Sequence, residues 1–144
     1  MTRVVLDANV LAPALANPAA AAGGLIARWR EGAFELVVSA PILTGLRRTF
    51  QDPYYARRVT PEQVGTAVAL LRAKARVVPL TVSVAGVATH PEDDLVLATV
   101  LSGAAGYLGT RDKQLLKLDG FRNVRIFHPA DLFDLLQRVG DAHP

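Results

Sequence analysis

Hydrophobic and polar positions along this chain follow two alternating rhythms. Short, largely apolar runs recur at Arg3 to Leu6, Phe34 to Val38, Arg76 to Leu80, Tyr107 to Gly109 and Val124 to Phe127, and such runs read as strands. Between them, apolar residues fall on one helical face. Asn9 to Ala16 and Leu25 to Glu31 are expected helices, the second closed by Gly32. Ser39 is placed to cap a helix with Pro41 in its first turn and Ile42, Leu43, Leu46 and Phe50 along one side. Thr60-Pro61-Glu62-Gln63 reads as a capping box opening a helix with Val64, Ala67, Val68 and Leu71 inward. Further helices are expected from Pro91, from Asp112 to Leu118, and from Pro129. Repeated strand-then-helix order predicts an α/β domain with a central parallel sheet of about five strands flanked by helices. Pro79 marks its strand as an edge or a strand end.

The length of 144 residues fits one domain, taken as 1–139, followed by a loose tail at 140–144. The uncharged stretch Ala8 to Ala27 is interrupted by Pro13, Pro18, Gly23 and Gly24, which argues against a membrane span or signal core. A soluble, cytoplasmic protein is expected. There is no cysteine, so thiolate metal sites are excluded and any hard-cation site must use oxygen ligands. The net charge of +3, carried mostly by arginine, suits a polyanionic partner and equally a plain basic protein.

The candidate chemistry is acidic. Asp7 ends the run Val4-Val5-Leu6, Asp112 follows the strand at Tyr107, and Asp93 opens the helix Leu95-Val96-Leu97-Ala98. Open parallel sheets place ligands beyond the carboxyl ends of their strands, so these three acids are expected to converge in one pocket. Crowded carboxylates repel unless protonated or neutralised by a cation, which points to a divalent-metal site. Each acid also suits a simpler role as a helix cap or a first-turn acid favoured by the helix dipole. His90 and His128 flank prolines at element ends and join no ligand spacing.

Three motifs stand in order: Val4-Val5-Leu6-Asp7-Ala8-Asn9-Val10-Leu11, then Pro91-Glu92-Asp93-Asp94-Leu95, then Gly109-Thr110-Arg111-Asp112 with Leu115-Leu116. They resemble, in turn, the opening, the central acidic motif and the late motif of PIN-domain nucleases. The resemblance runs from about Arg3 to Leu136 and includes the final Ile126-Phe127-His128-Pro129. It implies a metal-dependent endoribonuclease acting on single-stranded RNA, most often the toxin of a bacterial or archaeal toxin–antitoxin pair. Asp7, Asp93 and Asp112 would hold Mg²⁺ or Mn²⁺, with Asn9, Asp94, Thr110 and Ser39 in support. A homodimer and a cognate antitoxin are implied as well.

One departure stands out. Where the family places a glutamate on the helix after the second strand, this chain has Gly45, which leaves open a weakened or inactive scaffold that binds RNA or an antitoxin without turnover. Glycine inside a helix costs about 1 kcal/mol relative to alanine, so nothing local favours it there. Arg47, Arg48, Arg57 and Arg58, interleaved with Tyr54 and Tyr55, form either an RNA-binding face or a solvated arginine face. A haloacid-dehalogenase-like reading fails because it requires an aspartate at the position of Asn9.

Overall fold

The short apolar runs assemble into one sheet. The computed structural model describes residues 1–19 and 22–141. Its elements begin β1 (Arg3–Leu6), α1 (Ala8–Ala16), α2 (Gly23–Arg30), β2 (Glu35–Val38), α3 (Ala40–Phe50), α4 (Pro53–Ala56), α5 (Pro61–Lys74) and β3 (Arg76–Val77). They continue with α6 (Pro91–Ser102), β4 (Tyr107–Gly109), α7 (Lys113–Leu118), β5 (Gly120–Phe121), β6 (Val124–Phe127) and α8 (Pro129–Asp141). The strand order is β3-β2-β1-β4-β6-β5. Five strands are parallel, and the sixth, β5, adds an antiparallel edge to β6.

This order has a direct consequence for the site. From β1 the chain moves outward through β2 to β3, then returns to the other side of β1 with β4 and moves outward again. The direction reverses between β1 and β4, and that is where an open α/β sheet leaves a crevice at its carboxyl edge. Asp7 leaves β1 and Thr110 leaves β4 at this seam.

The core explains the unbroken apolar strands. Val4, Val5 and Leu6 of β1, and Leu36, Val37 and Val38 of β2, are wholly buried, so alternation would place polar groups in the interior. At the seam Gly109 pairs with Leu6, and a Cβ at Gly109 would come within 2.8 Å of Leu6 Cδ2 and 2.9 Å of Leu132 Cδ2. A larger residue here would push the Leu6 and Leu132 side chains aside, and glycine lets β4 pack against them undisturbed. The expected helix signals are present. Gly32 closes α2 with φ 84°, and Thr60 and Gln63 complete a reciprocal capping box on α5.

Several expectations need correction. Ser39 occupies the N-cap position of α3, but its side chain makes no capping bond. Its hydroxyl is 2.7 Å from that of Thr99, joining β2 to α6 in the interior. The third strand is only Arg76–Val77, at the edge, and Pro79 stops it soon after. The residues following α3 form the short helix α4, capped by Asp52, whose carboxylate accepts from Tyr54 N–H at 2.9 Å. The final helix reaches Asp141, taking in the first two residues of the expected tail, while 142–144 lie outside the described residues. Among the described residues, no helix is long and apolar enough to cross a membrane.

Candidate active site

The register Leu6 to Gly109 brings Asp7 and Thr110 side by side at the strand exits. Asp7 N–H donates to the Gly109 carbonyl at 2.9 Å, extending the ladder by one residue. The buried Thr110 hydroxyl donates to Asp7 Oδ2 at 3.0 Å. Asn9, held on the first turn of α1, sends its amide toward Asp7 Oδ2 at 3.4 Å and Thr110 Oγ1 at 3.3 Å. Its carbonyl accepts from Arg111 N–H at 3.0 Å. Asp112 N–H donates to Thr110 Oγ1 at 3.1 Å, so one threonine hydroxyl ties both strand-exit aspartates together. Asn9 and Thr110 therefore both hydrogen-bond the same oxygen of Asp7.

The cap roles of the aspartates are also realised. Asp7 Oδ1 accepts from Ala8 N–H at 2.7 Å. Asp112 Oδ1 accepts from Gln114 and Leu115 N–H at 2.8 and 3.1 Å. Capping fixes both carboxylates at helix N-termini, beside the positive end of the backbone dipoles. A cap and an acidic site are thus compatible here.

Electrostatics link these acids to the third. Burial raises the Asp7 pKa, the bonds from Thr110 and Ala8 oppose that rise, and the charge of Asp112 adds to it. Asp93, in the first turn of α6, is pushed up to about 6 by burial and by the charges of Asp112 and Asp7. Hard oxygen donors crowded so that one of them resists ionisation suit a divalent cation. Among the described residues, no group of three Asp, Glu or His side chains is drawn into a ready-made cage. The charges of Asp7, Asp93 and Asp112 act on one another across the carboxyl edge of the sheet, but of the three only Asp7 lines the cavity there, so the expected convergence in one pocket is not realised for Asp93 and Asp112.

Beside Asp7 opens a cavity of about 550 Å³ between α3 and α6. Its lining includes Asp7, Asn9, Gly45, Arg48 and Glu92, with apolar wall from Ile42 and Val96. Gly45 faces this space. A Cβ there would meet only Ala8 Cβ, at 3.6 Å, an ordinary contact. The position at which a family glutamate is expected is thus open and directed toward the Asp7 cavity.

Other expected site residues have different surroundings. Both Asp94 oxygens are engaged away from the cluster, accepting from Gly86 N–H at 3.0 Å and Ala88 N–H at 2.7 Å. Asp94 is buried and anchors the segment leading into α6 instead of orienting the other carboxylates. Ser102 holds the start of the same segment, accepting from Thr81 and Val82 N–H. Of the four arginines, Arg48 lines the cavity, whereas Arg58 lies 3.8 Å over the Tyr54 ring and donates to the Tyr54 carbonyl. Arg47 and Arg57 are exposed. His128 Nδ1 accepts from Ala130 N–H at the start of α8.

Glu92 was not foreseen as a site residue. It lines the cavity and lies 3.4 Å from Arg48. It stands next to Asp93 in the same acidic motif, and only the three-dimensional arrangement of α3 and α6 reveals its partner. Arg111, between Thr110 and Asp112, is near enough to Tyr55 for its charge to offset part of the rise that burial gives that phenol.

Comparison with known proteins agrees with this fold. The family model described as the PIN domain matches residues 3–114. VapC20 of Mycobacterium tuberculosis, a sarcin-ricin-loop-cleaving toxin, has a similar fold with a TM-score of 0.54 at 20% identity, covering 85% of this chain and 98% of that one. No curated protein matches the sequence significantly.

Proposed function

The chain belongs to the PIN-domain family, and from that premise we propose that it is a divalent-metal-dependent endoribonuclease that cuts single-stranded RNA as the toxin of a toxin–antitoxin pair. The observation that carries this reading is the seam between β1 and β4. There Thr110 and Asn9 hold Asp7, while Asp112 and Asp93 share its field. A structural neighbour that cleaves RNA supports RNA as the substrate class.

Asp7, Asp93 and Asp112 are the residues that would hold Mg²⁺ or Mn²⁺. An ion held by them would supply Lewis acidity, easing deprotonation of water and offsetting charge on the phosphodiester. The chain's own groups complete the site. The Thr110 hydroxyl and Asn9 amide donate to Asp7 Oδ2 and hold its carboxylate in place. Asp93 keeps its proton to about pH 6 and releases it more readily when positive charge arrives beside it. Arg47, Arg48 and Arg57 offer exposed side chains to phosphates, with Arg48 beside the cavity, while Arg58 is engaged with Tyr54. A cognate antitoxin, a homodimer and a cytoplasmic setting belong to the same reading and rest on the family alone.

A second reading is favoured by Gly45, whose open position leaves the acidic set short of the family glutamate. On that reading the chain binds RNA or an antitoxin without turnover. Induced expression in a bacterial host tests the toxin assignment. The parent should arrest growth and leave cleaved RNA, and Asp93→Asn should do neither. Unchanged growth and intact RNA with the soluble parent would favour the scaffold.

A further inference from the structure

Arg48 and Glu92 form the only ion pair among the described residues in which both partners line the Asp7 cavity. The pair joins α3 to α6 at 3.4 Å, and both side chains are largely exposed, at 63% and 77%. An ion pair so open to solvent is weak and readily exchanged. Arg48 lies three residues beyond Gly45 on α3, and both line the cavity with Asp7. Ile42 and Val96 add apolar wall to the same space, suited to a ribose or base rather than to another charge. A carboxylate and a phosphate compete for the same guanidinium face, and the phosphate of an extended strand brings further contacts with it.

We propose that Arg48 contacts a phosphate of the RNA strand entering the Asp7 cavity, and that Glu92 is the internal anion this phosphate displaces. The proposal rests on the RNA-cleaving reading of the site and adds a specific contact and its built-in competitor. Glu92 keeps Arg48 extended over the cavity when no strand is present, and it lowers affinity for weak or short anions that cannot outcompete it. Arg58, committed to Tyr54, has no comparable exchange beside Asp7.

A double-mutant cycle on the full chain tests this. Binding of a labelled single-stranded oligoribonucleotide is followed by fluorescence anisotropy in EDTA, where no metal-dependent cleavage can intervene. The variants are Arg48→Ala, Glu92→Gln, both together, and Glu62→Gln as a charge control on exposed α5. Arg48→Ala should weaken binding severalfold and lower the steepness of its salt dependence by about 0.7, the value for one lost phosphate contact on a single strand. Glu92→Gln should tighten binding severalfold when Arg48 is present. In the Arg48→Ala background its effect should shrink to that of Glu62→Gln. Equal tightening by Glu92→Gln in both backgrounds, or an Arg48→Ala variant with unchanged affinity and salt dependence, overturns the exchange. If the folded parent binds no RNA at low salt, either in EDTA or with Mn²⁺ restored, the RNA reading itself falls. If the parent binds and the cycle is additive, only the exchange falls.

Discussion

Thr110 and Asp7 are joined by a 3.0 Å hydrogen bond across the seam of β1 and β4, 103 residues apart in sequence. The same threonine oxygen accepts from Asn9 and from Asp112 N–H, so it is the hub through which both strand-exit acids are fixed. Thr110→Val keeps the shape and removes the hub. It should destabilise the fold by about 1–3 kcal/mol, the cost of leaving buried polar partners unsatisfied, and Thr110→Ser should recover most of that loss. Urea unfolding of the two variants measures the difference.

Asp93 gives the fold a pH dependence of definite sign. Its pKa is about 6 in the native state and near 4 when unfolded. Below about pH 4 both states hold the proton and there is no penalty. As the pH rises from about 4 to 6, the unfolded chain ionises first, so this group withdraws stability, and above 6 the penalty is constant. Asp93→Asn should therefore melt higher than the parent at pH 7, with the gap closing toward pH 4. Millimolar Mn²⁺ at pH 7 should raise the melting temperature of the parent more than that of the variant. Thermal melts across pH and metal concentration check both statements, and equal shifts in the two proteins would count against the acidic cluster.

Asp94 should behave unlike its neighbour. Because its oxygens hold Gly86 and Ala88 N–H, Asp94→Asn turns an amide donor toward one of two backbone donors. The expected loss is about 1.5–3 kcal/mol, typical of charge-assisted bonds. Residues 78–90 should also exchange amide hydrogens faster. Mn²⁺ should still stabilise this variant as it does the parent. Hydrogen exchange resolved by segment separates this anchoring role from a role in the cluster.

Gly45 separates enzyme from relic. Gly45→Ala should stabilise α3 by up to about 1 kcal/mol, since the new methyl meets only Ala8 at contact distance. Gly45→Glu adds a carboxylate facing the Asp7 cavity and should raise metal-dependent RNA cleavage by about a hundredfold or more, as positioned catalytic groups do. If Gly45→Glu binds metal no better and cleaves no faster, the position is not a vacated acid and the site works with its three aspartates.

Much of the fold was legible because its central strands β1 and β2 are buried on both sides. Val4-Val5-Leu6 and Leu36-Val37-Val38 leave little choice but a covered parallel sheet, and caps such as Thr60 with Gln63 mark helix starts locally. The antiparallel β5 was not legible, since Gly120-Phe121 carries no periodicity and is defined only by pairing with Val124 and Arg125. The site divided in the same way. Asp7, Asn9, Thr110 and Asp112 follow from strand exits, which sequence order marks. The destinations of Ser39 and Asp94 depend on partners 60 residues away, or on a segment without regular structure, and no spacing rule reports those. Glu92 was hidden for a related reason, because its cavity and its partner Arg48 exist only once α3 and α6 pack together.

The central claim is that the acidic seam is a metal-dependent ribonuclease centre, and cleavage by purified protein tests it most directly. End-labelled single-stranded RNA is incubated with the parent and with Asp7→Asn, first in EDTA and then with Mn²⁺ or Mg²⁺ restored in excess. The account predicts discrete internal cuts by the parent only when the ion is present, and none by Asp7→Asn under either condition. Cleavage that persists in EDTA, or that Asp7→Asn retains in full, would contradict it.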